Sequence, residues 1–115
     1  MLNGEIQVGL ISGNASTITV RCGFVPDYVE IFDTTNRNVS FRWFSNMSNG
    51  TAIKMDASSM GSVTSEGITA VTGDDDEAAG FEIGTTISVS AATLGYVAIR
   101  SGRGLVPVTA QTTTT

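Results

Sequence analysis

One stretch, Val39 to Asp56 (VSFRWFSNMSNGTAIKMD), limits most tightly what this chain can fold into. It holds the only tryptophan and two of the five phenylalanines. Val39, Phe41 and Trp43 alternate with Ser40 and Arg42, the two-residue period of a strand buried on one face. Asn49-Gly50 then supplies two residues that tolerate positive φ, as a tight hairpin turn requires. Thr51, Ile53 and Met55 resume the alternation against Ala52, Lys54 and Asp56. The stretch predicts a β-hairpin whose aromatic face covers the core.

The same period recurs along the chain. Ile6, Val8 and Leu10 alternate with polar or small residues over 4–12, a first strand. Residues 16–22 form a second, with Ile18 and Val20 inward, and the turn Ser12-Gly13-Asn14-Ala15 joins the two as a hairpin. Pro26 lacks the amide a central strand needs, so it marks a loop or a strand entrance. Tyr28 to Asp33 is a third strand with Val29 and Ile31 on one face and Tyr28, Glu30 and Phe32 on the other. Apolar side chains on both faces imply two packed layers or an interface.

Residues 57–67 are small, polar and weakly patterned, hence a loop, and 68–71 form a short strand at best. Gly73 to Glu77 is an acidic turn. Phe81 with Ile83, Ile87 with Val89, and Leu94 to Ser101 mark three further strands, and 105–110 adds an edge strand. No segment carries a helical period. The expected fold is all-β, a single β-sandwich or jelly-roll-like domain over 1–115 with about eight to ten short antiparallel strands. Flexible segments are expected at 1–4 and 105–115.

A chain of 115 residues exposes ~6,000 Å² folded against ~17,000 Å² unfolded, enough burial for one modest core. The net charge of −5 and scattered basic residues argue against a nucleic-acid surface and against an anionic membrane. Residues 1–12 lack the basic start and apolar block of a secretion signal, and no run reaches the ~20 apolar residues of a membrane span. Synthesis in a cytoplasm is expected. The sequon matches at Asn14, Asn38, Asn46 and Asn49 then reflect a composition rich in Asn, Ser and Thr.

Chemistry has little to work with. The chain has no histidine and one lysine, Lys54, so its serines lack an activating base. No catalytic residue, cofactor or metal is assigned, and the protein is expected not to be an enzyme. Cys22 has no partner for a disulfide and lies in a strand-like run, which fits a buried, inert thiol. Asp74-Asp75-Asp76-Glu77 reads as a solvated acidic loop, with a Ca²⁺ site as the alternative. The spacing lacks the one-in-two ligand pattern of an EF-hand.

The aromatic residues are more informative. Tyr28, Phe32, Trp43, Phe44 and Tyr96 could form a platform for sugar rings or a partner protein, or could pack the core. Trp43 and Phe44 are adjacent, so one strand cannot send both to the same face. One of them lies outside and needs a second layer or another subunit. Tyr28, Phe32 and Phe44, with Leu105, Val106 and Val108 near the end, are the candidate partner contacts.

Two blocks carry a resemblance. Gly23-Phe24-Val25-Pro26-Asp27-Tyr28-Val29-Glu30-Ile31 resembles the G-F-x-P-x-x-V opening of small tailed-bacteriophage virion proteins. Gly80-Phe81-Glu82-Ile83-Gly84, followed by Tyr96-Val97-Ala98-Ile99-Arg100, is similar to their G-F-x-I-G and Y-x-A blocks. The match spans about residues 5–101 and consists of glycines and core positions. It transfers no catalytic or binding residue, and, in contrast to the longer fibre proteins, no shaft or tip domain is expected. The resemblance implies a virion structural protein, first a capsid decoration (cement) protein. As such it would bind the major capsid protein at the capsid surface as a homo-oligomer, expected to be a homotrimer. The alternative is a tail or head fibre module that binds host surface glycan through loops 34–38, 46–50 and 72–79.

Overall fold

The computed structural model describes residues 5–35, 38–102 and 105. Eight strands run in chain order: β1 (Glu5–Ser12), β2 (Ile18–Val20), β3 (Tyr28–Asp33), β4 (Val39–Phe44), β5 (Thr51–Met55), β6 (Met60–Val71), β7 (Gly80–Ile83) and β8 (Thr93–Arg100). No helix occurs among the described residues. The strands form one antiparallel sheet in the order β1-β8-β3-β4-β5-β6-β7-β2, curled into a half-barrel. One hydrogen-bonded sheet thus provides what was expected of two layers, because its two halves bend to face each other.

The hairpin that anchors the sequence forms. β4 pairs β5 with Ser40 opposite Met55, Phe41 opposite Lys54 and Arg42 opposite Ile53. Phe41 and Trp43 are fully buried, and Val39 lies beside them. The turn is longer than the two residues expected. Residues 45–50 connect the strands, and of Asn49 and Gly50 only Gly50 takes positive φ, at 84°. The indole Nε1–H of Trp43 donates to the Ser48 carbonyl at 3.3 Å, and the Thr51 hydroxyl donates to the same carbonyl at 2.6 Å. These bonds tie the connection to the core.

The core lines the inner side of the curl. Val29 and Ile31 of β3, Ile68 of β6, Phe81 and Ile83 of β7, and Leu94 and Ala98 of β8 are all fully buried. Phe24, Ile87 and Ala92 close it from the connecting loops. Ile87 and Val89 therefore do not form the strand expected of them. They lie in a turn-rich segment in which Ile87 and Ser88 both donate to the Gly84 carbonyl.

Two further expectations are corrected. β1 and β2 do not pair with each other. β1 pairs β8 and β2 pairs β7, which puts them at opposite edges. Residues 57–67 are not a loop, because most of them belong to the twelve-residue β6. β6 escapes the hydrophobic pattern because over 60–66 Met60–Ser62 and Thr64–Glu66 are exposed and only Val63 turns inward. Its register against β5 also shifts between Thr51 and Ala52, and Glu66 takes φ of 58°. A bulge of this kind breaks the period that marks a strand in sequence. Of the edge strand expected at 105–110, only Leu105 is described, outside any strand.

Gly80 shows how tightly β2 is held. A Cβ at this position would land on the Val20 backbone carbonyl. Gly80→Ala is expected to separate β2 from β7 and cost about 1–3 kcal/mol in chemical denaturation. Trp43→Ala, which empties the centre of the core, is expected to cost about 3–5 kcal/mol by the same measurement.

Candidate functional site

The outward face of the sheet follows from the strand registers. A first row across the strands reads Ile6, Ile99, Tyr28, Phe44. The second reads Val8, Val97, Glu30, Arg42, Ile53. The third reads Leu10, Gly95, Phe32, Ser40, Met55, Met60. These rows form one apolar surface over β1, β8, β3, β4 and β5. The other half of the exterior is polar, with Thr69, Glu82 and Thr19 aligned across β6, β7 and β2.

Ile6, Val8 and Leu10 are 69, 70 and 76% exposed. A run of three such residues on one strand is unusual for a surface that faces only water. The phase of β1 is the cause. Gln7, Gly9 and Ile11 take the inward positions, where the Gln7 amide donates to the Tyr96 hydroxyl at 2.7 Å and Ile11 is buried. Gly9 leaves room for the Tyr96 ring, whose edge would lie 2.8 Å from an added Cβ. The apolar residues of β1 are therefore outside because the bulk of Tyr96 occupies the inside.

Tyr28, Phe32 and Phe44 come together on this surface. The Tyr28 and Phe44 rings lie 4.9 Å apart, and Phe32 is on the third row. Phe44 is outside and Trp43 inside, as their adjacency requires. Tyr96 is also inside, against Phe81, so the five aromatics do not form one platform. Leu105 is exposed, while Val106 and Val108 lie outside the described residues. Sequence reasoning missed Ile6, Val8, Leu10, Ile53 and Met55 as members of the outer surface. Gly9 was the signal that could have identified the first three, since a glycine in mid-strand often marks a close approach.

A polar island interrupts the apolar surface. Arg42 Nε donates to Glu30 Oε2 at 2.8 Å, and Arg42 also reaches the Met55 sulfur. Burial pushes the Tyr28 hydroxyl above its ordinary pKa, and the Glu30 charge adds to that. Hydrogen bonding to Glu30 raises the Arg42 guanidinium. Both shifts favour the protonated form, so Tyr28 stays neutral and Arg42 stays charged near neutrality. Paired charges of this kind fix orientation in a contact more than they strengthen it. Next to Phe32 an open cleft of about 310 Å³ is lined by Asp33, Asn38, Ser40, Met55 and Asp56 among others.

The remaining candidates are local. Asp74 turns its carboxylate back on its own turn, accepting from the amides of Asp76 at 2.9 Å and Glu77 at 2.8 Å. Glu77 pairs with Arg21 at 2.6 Å. Among the described residues no three His, Cys, Asp or Glu side chains group around a cation position. Cys22 is half-buried, its thiol donates to the Phe24 carbonyl at 3.3 Å, and burial pushes its pKa up. No helix among the described residues is long and apolar enough to cross a membrane.

Two predictions follow from these groups. Cys22 should react with a disulfide reagent at pH 8 more slowly than free cysteine, since burial disfavours its thiolate. The second concerns acid. Backbone amides hold Asp74 below the ordinary aspartate value of 3.8. A lowered folded-state pKa gives stability that is present above the unfolded value and lost as pH falls through the folded one. Asp74→Asn should therefore flatten the acid limb of a plot of Tm against pH.

No protein-family model, curated protein or solved structure matches the chain.

Proposed function

We propose that this chain is a structural protein of a bacteriophage particle, a decoration protein that binds the capsid surface in many copies and stabilises it. It is made in the host cytoplasm, contacts the major capsid protein, associates with its own copies and breaks no bonds. The resemblance of its glycine and core blocks to small virion proteins supplies the viral setting. The curled sheet serves as a sandwich-like module. One observation carries the reading: half of the described exterior, across five strands, is apolar around the Glu30–Arg42 ion pair. Such a surface suits a contact that is covered in the working assembly. Many weak copies on one shell hold through multivalency.

The test is binding to purified capsids. Phe44→Lys places a charge beside Tyr28 on the outer face without touching the core. It should leave the melting temperature nearly unchanged and weaken capsid binding at least about tenfold. Unchanged binding would remove the outer face as the contact. The cleft beside Phe32 supports a second reading, a fibre module that binds host glycan, since it combines an aromatic ring with Asn38 and Asp56. Quantifying the protein in virions separates the two. Copies on the order of hundreds mark decoration, and about a dozen with a specific glycan-array hit mark a fibre.

A further inference from the structure

We infer that the free edge of β1 pairs antiparallel with β1 of a second copy, across a two-fold axis at Val8. Among the described residues β1 is an outermost strand, with eight consecutive pairs to β8 and no register shift. The opposite edge, β2, has three residues and is followed by Arg21, which is ion-paired to Glu77. Exposed edges are ordinarily blunted by short length, by lysine or proline, or by a bulge. β2 is blunted in this way and β1 is not. Its sequence, EIQVGLIS, has one charge, and Arg100 neutralises that Glu5 at 2.9 Å.

The backbone phase fits. One step past the ladder, the Gly13 amide donates to the Ala92 carbonyl at 2.8 Å. By the two-residue alternation of antiparallel pairing, Ile11, Gly9, Gln7 and Glu5 turn their backbone groups toward β8. Ile6, Val8, Leu10 and Ser12 turn theirs to the free edge. A two-fold pair must bring like faces together, so residues of the same phase oppose each other. Centring on Val8 sets Ile6 opposite the second copy's Leu10, Val8 opposite its own equivalent, and Glu5 opposite Ile11. All three exposed apolar residues of each copy then lie in one cross-strand ladder, and no like charges meet.

The occupant is a second copy because β1 is self-complementary in this register. The edge covers less than the ~800 Å² per partner of a standard interface. The pair is therefore a concentration-dependent dimer that a crowded array strengthens. It joins the outer faces of two copies into one surface and leaves those faces free for a shell or a three-fold cluster. It does not rest on the viral reading. Its failure leaves capsid binding, measured separately, untouched.

Disulfide trapping at high protein concentration tests the register, in chains that also carry Cys22→Ser. Opposed residues of a hydrogen-bonded pair have Cα atoms about 5.5 Å apart, within the ~4.4–6.8 Å span of a disulfide. Val8→Cys should cross-link to itself. Ile6→Cys and Leu10→Cys should do so only when mixed, because each is about 14 Å from its own equivalent. Similar rates for all three single variants would overturn the proposal, as would no trapping of Val8→Cys beyond that of the denatured chain. In the unmodified protein, the amides of Ile6, Val8 and Leu10 should gain exchange protection as concentration rises, and Val8→Lys should abolish that gain. Protection independent of concentration would mean that another part of the same chain covers the edge, and would also overturn it.

Discussion

The contact between Phe81 and Tyr96 holds the architecture together. Four strands separate β7 from β8 in the sheet, so at ~4.8 Å per step a flat sheet would place them ~24 Å apart. Their ring centroids are 5.5 Å apart at 66°. Only a sheet that bends back on itself permits this. Right-handed twist supplies part of the bend, and the β5–β6 bulge adds local curvature. Fully buried aromatic pairs with edge-on geometry stabilise by about 0.5–1.5 kcal/mol beyond the area they cover. Ile68, Ile83 and Leu94, none of them exposed, complete the filling of the bend.

That contact also decides the phase of β1. Tyr96 faces inward to meet Phe81, so the residue paired with it on β1, Gly9, faces inward as well. A side chain there would collide with the ring, and glycine avoids the collision. With Gly9 inward, Ile6, Val8 and Leu10 must face outward. The apolar exterior of β1 is thus a consequence of the core and of strand geometry, and follows from a single residue's lack of a side chain.

The strands with strong alternation were legible in the sequence. β3, β4, β5, β7 and β8 lie within a residue or two of where their patterns place them. The pattern establishes a period, and it leaves open which phase faces the core. β3 shows the ambiguity resolved, because Val29 and Ile31 face in while Tyr28 and Phe32 face out. β1 shows it unresolved, because an apolar set at alternate positions carries no mark of its side. β6 was hidden for the opposite reason. Its backbone bonds to β5 and β7 make it a strand, and most of its first half buries nothing. Pairing partners were beyond reach for β1 and β2, since a short polar turn between two strands reads as a hairpin whether or not they pair. Of the candidate contact residues, Tyr28, Phe32 and Phe44 were legible because an aromatic at an odd phase, beside a core residue, must go outside.

The two halves of the exterior differ in a way that burial inside one copy does not require. β6, β7 and β2 carry Thr69, Glu82 and Thr19 outside, as a sheet face in contact with water does. β1, β8, β3, β4 and β5 carry rows of Ile, Val, Leu, Phe and Met there, although their inner sides already fill the core. Folding of one chain gains little from these outer residues, and their exposure favours association. Glu30 and Arg42 lie at the centre of this half, bonded to each other, so that covering it leaves neither charge unpaired. An apolar field whose Glu30–Arg42 pair is already satisfied can be covered without leaving a charge stranded.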